Sequence, residues 1–144
     1  MKNVLLGILI GLIVGGIAIQ FIPYGHDHTN PTTASTEPQW DSSQTRDLAV
    51  RACFDCHSNQ TTWPWYSNVA PISWLIQHDV QQGRSQLNFS QWGTSGRGGE
   101  EAVQQIERGS MPQWYYVMLH PSAGLSAAEK QQLIQGLTAT LGSR

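Results

Sequence analysis

The longest apolar stretch of the chain runs from Val4 to Ile22, and apart from its glycines it contains one polar residue, Gln20. At a rise of about 1.5 Å per residue, such a stretch spans roughly the hydrocarbon core of a lipid bilayer. The sequence therefore predicts a transmembrane anchor at residues 1–22. Because Lys2 and the terminal amine are the only charges before it, the positive-inside rule places the N-terminus in the cytoplasm and the rest of the chain outside.

A cleaved signal peptide is the alternative explanation of this stretch. Signal peptides have apolar cores of about 7–15 residues and small residues at the cleavage site. The present stretch is longer, and it ends in the bulky sequence Phe21-Ile22-Pro23-Tyr24. These features favour an uncleaved anchor.

The rest of the chain divides into two segments by composition. Residues 23–40 are rich in Thr, Pro, Asn and Ser without an apolar period, which predicts a flexible tether. Residues 41–144 form the predicted globular domain. Acidic and basic side chains nearly balance there, so nothing indicates a nucleic-acid partner.

Helical periods recur through the globular segment, and no convincing strand alternation accompanies them. Ser126 and Glu129 form a capping box before the last of these periods. The predicted helices are Asp41–Ala52, Pro71–Gln82 with Gly83 as its C-cap, Glu100–Arg108 ending at Gly109, and Ala127–Leu141. The fold class is therefore all-α, with about four short helices, long loops and one preceding transmembrane helix.

The two cysteines of the chain lie in the sequence Cys53-Phe54-Asp55-Cys56-His57, which matches the haem-attachment pattern C-x-x-C-H. A two-residue gap at a helix end sets two sulfurs at the separation of neighbouring haem vinyl groups. His57 then supplies the proximal imidazole to the iron. The pattern predicts one covalently bound haem c, in a small cytochrome c-like domain whose thin core a porphyrin would fill.

Two other uses of a cysteine pair are less consistent with this chain. A thioredoxin-like thiol pair needs a strand–helix context that the sequence does not provide. A structural zinc site normally needs a second ligand pair at matched spacing, and no such pair is present in the sequence.

A six-coordinate iron requires a second axial ligand on the distal side. Met111 is the first candidate, because Met111-Pro112 follows Gly109 in a loop between two predicted helices. A thioether ligand raises the reduction potential relative to a second histidine. His78 is the alternative distal ligand, and His120 is a further candidate that is more consistent with a loop role.

Aromatic residues are concentrated just after the C-x-x-C-H motif. Trp63, Trp65 and Tyr66 fall within four positions, and Trp74 follows on the next helix. Large aromatic groups with a polar edge suit the wall of a haem pocket, where they can also bond a propionate. Arg84 is a candidate propionate partner.

Longer runs of sequence carry a resemblance to a known family. They read Cys-Phe-Asp-Cys-His-Ser-Asn, then Trp-Pro-Trp-Tyr-Ser-Asn-Val-Ala-Pro, then Gly-Arg-Ser-Gln-Leu-Asn-Phe-Ser. With Met111-Pro112, Tyr116 and Leu119-His120-Pro121, they resemble the bacterial haem-binding domain family of c-type cytochromes over about Ala52 to Leu137. The resemblance implies thioethers at two cysteines, proximal ligation by a histidine and distal ligation by a methionine; the residues concerned are Cys53, Cys56, His57 and Met111.

These features together predict electron transfer rather than catalysis, since two strong axial ligands leave no open position for a substrate. The expected partners are the membrane and redox proteins on its extracytoplasmic side, periplasmic or outer-surface. A haem-bearing accessory subunit of a larger membrane complex is one alternative, which the glycine stripe Gly7, Gly11 and Gly15 supports. A haem-based enzyme or gas sensor is another, and it would require a five-coordinate iron or a labile ligand.

Overall fold

The computed structural model describes residues 1–33, 35–92 and 98–142, and the secondary structure within these ranges is helical. Among the described residues the only extended pairing is an isolated parallel bridge between Thr36 and Gln91. The helices are α1 (Lys2–Ala18), α2 (Ser43–Ala52), α3 (Phe54–His57), α4 (Ile72–Gln86), α5 (Gly98–Glu107), α6 (Trp114–Leu119) and α7 (Ala127–Gly142), with 3-10 turns at Ile19–Phe21, Trp65–Asn68 and Pro121–Ala123. The all-α fold class with one preceding apolar helix is confirmed.

The chain separates into two compact units. The first unit comprises Met1–Thr29 and Trp63–Asp79, and the second comprises Asn30–Thr62 and Val80–Arg144. The predicted division into segments 1–22, 23–40 and 41–144 stays a prediction.

Within the first unit, Lys2–Phe21 is a helix long and apolar enough to cross a bilayer, and a signal sequence near the N-terminus would have the same character. The end of this helix is bonded to a distant part of the sequence. The Gln20 amide donates to the Ala70 carbonyl at 3.0 Å and accepts from the Ala70 N–H at 2.9 Å. Further along, Gln77 Oε1 accepts the backbone N–H groups of Gly25 and Asp27 at 2.6 and 3.1 Å. These bonds join the chain after α1 to the first half of α4.

The second unit is organised around the packing of α7 against α2 and α5. Leu133 and Leu137, four residues apart on one face of α7, are almost fully buried. Their core partners come from several elements: Leu48, Ala49, Phe54, Leu87, Phe89 and Ile106. The stacked rings of Phe54 and Phe89, with centroids 5.5 Å apart, connect this core to the C-x-x-C-H motif.

Two local sequence signals at helix ends are confirmed by the hydrogen bonds. The Ser126 N–H donates to Glu129 Oε2 at 2.8 Å, and the Glu129 N–H donates to Ser126 Oγ at 3.2 Å, which is the predicted capping box of α7. Gly109 has a φ of +72°, and the Ser110 N–H reaches the Gln105 carbonyl at 3.0 Å. This Schellman arrangement ends α5 as predicted.

Two helix predictions need correction. Gly83 does not end α4, because the helix continues to Gln86 and Gly83 lies in its interior. The close approach of Cys56, described below, explains the glycine at this position. Helix α6 is a second difference, because the sequence predicts no helix between Gly109 and Ser126.

Hydrogen bonds also involve the segment predicted as a tether. In the first unit, His28 Nε2 lies 3.0 Å from the Ser67 carbonyl oxygen. In the second, Arg46 donates two hydrogen bonds to Glu37, from Nε at 2.7 Å and from a terminal nitrogen at 2.9 Å. The polar composition of residues 23–40 did not predict these contacts.

Candidate haem site

The C-x-x-C-H motif occupies the turn where α2 passes into α3. The Cys53 N–H donates to the Ala49 carbonyl at 2.9 Å and so completes α2, while the His57 N–H donates to the Cys53 carbonyl at 2.9 Å. Cys53, Cys56 and His57 are thereby held on a single short helical turn. The two cysteines therefore lie at a helix end, which is the placement expected for the haem-attachment pattern.

The imidazole of His57 is oriented by the chain that follows α4. Its Nδ1 lies 3.1 Å from the backbone carbonyl oxygen of Leu87. Because a carbonyl can only accept a hydrogen bond, Nδ1 carries the proton and Nε2 keeps its lone pair. Burial lowers the pKa of His57, against the opposing effect of the Leu87 and Gly83 carbonyls. A neutral imidazole whose Nδ1–H is fixed by a backbone carbonyl is the form that ligates a metal through Nε2.

Helix α4 packs its backbone directly against the motif at Gly83. A Cβ added there would lie 2.9 Å from the Cys56 carbonyl carbon, and closer still to the carbonyl oxygen. Real Cβ atoms do not approach other atoms so closely, so no residue other than glycine fits without a shift of the backbone. The same approach brings the Gly83 carbonyl to His57.

Both cysteines are free and half-buried. Burial raises the pKa of the Cys53 thiol to about 12. Reactive thiol pairs depend on the opposite change, a lowered pKa that supplies thiolate at neutral pH. The environment of Cys53 is therefore unlike that of a redox-active cysteine.

Asp55 and Tyr116 form a contact between the motif and α6 that sequence reasoning missed. The Tyr116 hydroxyl donates to Asp55 Oδ2 at 2.7 Å, and the Thr62 N–H donates to Asp55 Oδ1 at 2.9 Å. The pKa of Tyr116 is raised first by burial and then by the Asp55 carboxylate, so the phenol keeps its proton and remains a donor. In the sequence, Tyr116 belongs to the runs that resemble the family.

The three candidate distal ligands have different surroundings. Met111 is half-buried in the turn between α5 and α6, where its N–H donates to the Gln105 carbonyl at 3.3 Å. His78 is exposed on α4. His120 stacks on Tyr116, with ring centroids 4.3 Å apart, and its Nδ1 lies 3.1 Å from the Tyr116 carbonyl oxygen. The assignment of Met111 stays a prediction.

The predicted pocket aromatics lie in the first unit, whereas Cys53, Cys56 and His57 lie in the second. Trp63 stacks on His28 with ring centroids 4.5 Å apart, and Trp65 is 79% exposed and meets Tyr66 edge to face. The indole nitrogens of Trp63 and Trp74 are buried without a hydrogen-bond partner among the described residues. Their role as a haem-pocket wall stays a prediction.

Arg84 is bonded to the loop that follows the motif. Its Nε donates to the Ser58 carbonyl at 2.8 Å, and a terminal nitrogen donates to Asn30 Oδ1 at 2.8 Å and to Thr61 Oγ1 at 2.9 Å. Through these bonds the guanidinium connects α4 to Ser58, Asn30 and Thr61 within the second unit. Its predicted role beside a propionate stays a prediction.

We expect Arg84→Gln to lower the free energy of unfolding by about 2 kcal/mol, because partly buried acceptors lose a charged donor. Guanidinium unfolding of the purified protein measures this change. Gln82→Ala, on the same helix at an exposed position, is the matched control and is expected to change stability by less than about 0.5 kcal/mol. Equal free energies of unfolding for the two variants would contradict a stabilising role of Arg84.

The arrangement fits a haem protein: two thiols and an imidazole share one turn, and the imidazole is oriented by a backbone carbonyl. A family model described as a haem-binding domain matches residues 14–139. The chain therefore belongs to the haem-binding domain family. No curated protein matches the chain, and no solved structure matches it.

Proposed function

We propose that this protein is a membrane-anchored monohaem c-type cytochrome that transfers electrons on the extracytoplasmic side of the membrane. Cys53 and Cys56 form the thioethers, His57 is the proximal ligand and Met111 is the distal ligand. A bound haem supplies an iron that changes reversibly between the ferric and ferrous states, which is the chemistry of one-electron transfer.

The observation that carries this proposal is the hydrogen bond between His57 Nδ1 and the Leu87 carbonyl. The backbone carbonyl fixes both the tautomer and the ring orientation, and it increases the basicity of Nε2 as a ligand. The position of the two cysteines on the same turn supports covalent attachment, because each sulfur is fixed relative to the imidazole by helical geometry.

The cofactor is tested by a pyridine haemochrome spectrum of the purified, haem-loaded protein after denaturation and extraction with acid acetone. We expect a c-type spectrum with the haem retained on the polypeptide. Haem that leaves the polypeptide on extraction would contradict covalent attachment and leave a non-covalent haem protein.

Met111→Ala is expected to open the distal position and to lower the reduction potential, because thioether ligation favours the reduced iron. The reduced variant should bind carbon monoxide, whereas the reduced wild-type protein should not. The parallel variant His78→Ala distinguishes the candidates. If it alone opens the iron, His78 is the distal ligand and the assignment of Met111 is wrong.

The same carbon monoxide titration separates electron transfer from the enzyme and gas-sensor alternatives. A wild-type protein that binds carbon monoxide readily has an open or labile position, which would contradict a dedicated electron carrier. Unreactive iron together with a reversible one-electron titration supports the proposal.

Membrane anchoring is supported by the length and apolar character of Lys2–Phe21, and by the bonds of Gln20 to Ala70, which give the end of this helix a structural contact. Protease treatment of right-side-out vesicles tests the orientation. We expect digestion of the haem domain from outside, while protection of the domain would reverse the proposed topology.

An accessory subunit of a membrane complex is the second candidate. A Cβ added at Gly7, Gly11 or Gly15 would meet nothing within 4 Å, so this face of α1 is open to another helix. Purification of the full-length protein from its native membrane in mild detergent distinguishes the two. A stoichiometric membrane partner supports a fixed subunit, and its absence supports a free carrier.

A further inference from the structure

The first unit has an unusual distribution of polar and apolar side chains. In α4, Ser73 and Gln77 are four residues apart on one face and are 1% and 7% exposed. Ile72 and Leu75 share a different face and are 44% and 46% exposed. In its first half, α4 is therefore the reverse of an ordinary surface helix, in which the apolar face is buried.

The reversal has a cause in the contacts of the polar face. Gln77 accepts the N–H groups of Gly25 and Asp27, which belong to the chain leaving α1. A Cβ added at Gly25 would lie 2.7 Å from Trp74, so the chain and the helix are in close contact. Because this side of α4 packs against the chain that leaves α1, Ile72 and Leu75 face away from that chain.

Further exposed apolar residues of the same unit belong to the segment that leads into α4 and to the end of the apolar helix. Trp65 is 79% exposed and Val69 is 42% exposed, and Phe21 and Ile22 at the end of the apolar helix are also exposed. We call the following residues the interfacial patch: Phe21, Ile22, Trp65, Val69, Ile72 and Leu75. Exposed apolar residues that occur singly are normal, but a group of this kind marks an interaction surface.

We propose that the interfacial patch lies in the headgroup and upper acyl region of the bilayer, next to the point where α1 leaves the membrane. The proposal rests on the membrane anchor proposed above. Gln20, near the end of the apolar helix, bonds both the N–H and the carbonyl of Ala70. Since Ala70 immediately precedes Pro71 and α4, these two bonds hold the start of α4 beside the membrane exit of the anchor.

The composition of this segment favours lipid as the occupant. From Trp63 to Gln77 the sequence contains no charged residue, and it carries Trp and Tyr, which are enriched at the level of lipid headgroups. It also contains no Lys or Arg, so the attraction is apolar and does not require anionic lipid. Trp65 would then contact lipid, a different role from the haem-pocket wall that the sequence predicted.

The test uses the full-length, haem-loaded protein with the substitution Leu75→Cys, labelled with an environment-sensitive fluorophore and reconstituted into phosphatidylcholine vesicles. The control is Gln104→Cys on α5, whose helix face also carries Glu100, Glu107 and Arg108. Haem-loaded wild-type protein treated with the same label should take up none, because both native cysteines are thioethers.

We expect the label at position 75 to shift to shorter emission wavelengths and to lose intensity when lipids with a headgroup quencher are included. The label at position 104 should do neither. Addition of phosphatidylglycerol should leave the result unchanged, whereas a requirement for it would overturn the apolar mechanism.

Several outcomes would overturn the proposal. Emission at position 75 like that in water would mean that the patch is solvated, and a blue shift without lipid quenching would mean that protein covers it. Flotation of the vesicles separates these results from failure of the anchor. Protein that does not float contradicts the membrane anchor itself, whereas protein that floats with an unquenched label contradicts only the interfacial patch.

Discussion

The double variant Cys53→Ala/Cys56→Ala is expected to lose covalently attached haem almost completely. No other cysteine is present in the sequence to form a thioether. Acid–acetone extraction followed by a pyridine haemochrome assay of both phases measures the change. Haem should remain with the wild-type polypeptide and should move into the acetone phase, or be absent from the start, for the double variant.

The single variant Cys53→Ala is the matched control for this experiment. It keeps Cys56 and His57, so one thioether should remain and one vinyl group should stay unsaturated. Its haemochrome band is expected at a longer wavelength than that of the wild type. Haem retained on the double variant through extraction would disprove thioether attachment at this motif.

Gly83→Ala is expected to destabilise the protein, although the same substitution inside an exposed helix usually stabilises it. The gain in helix propensity is about 1 kcal/mol. Against it, the new Cβ would overlap the backbone of Cys56, and overpacking costs about 3 kcal/mol where the contact is backbone. We expect a net loss of about 2 kcal/mol in the free energy of unfolding, together with reduced haem per polypeptide.

Gly136→Ala separates the local effect on the site from a general loss of stability. A Cβ at Gly136 would lie 2.8 Å from Cβ of Thr45, so it overpacks the contact between α7 and α2. We expect a similar loss of stability from this variant without the reduction in haem content. Equal haem content in Gly83→Ala and wild-type protein would contradict the supporting role of Gly83.

Several features of the protein could be predicted from short stretches of sequence. The apolar helix, the capping box of Ser126 and Glu129 and the end of α5 at Gly109 depend on residues close together in the chain. Their hydrogen bonds and periodicities are local, so a pattern of a few residues contains the necessary information. The C-x-x-C-H motif is local for the same reason.

The sequence was misleading where the role of a residue depends on contact with a residue far away in the chain. Glycine commonly ends helices, which predicts a helix end at Gly83, but here the glycine makes room for Cys56, 27 positions earlier. Helix α6 has only six residues, which is too short for a helical period to be recognised in the sequence. Its Tyr116 is used to bond Asp55, a contact that no local pattern reveals.

Local sequence was sufficient to predict the all-α class, the apolar helix and the turn that carries Cys53, Cys56 and His57. The tertiary structure alone decided which groups support that turn: the Leu87 carbonyl on the imidazole, Gly83 against Cys56, and Tyr116 on Asp55. It also decided that Ile72 and Leu75 face outward, since the polar face of α4 is used by the chain that leaves α1. Each of these contacts joins residues far apart in sequence, so it depends on how the helices pack.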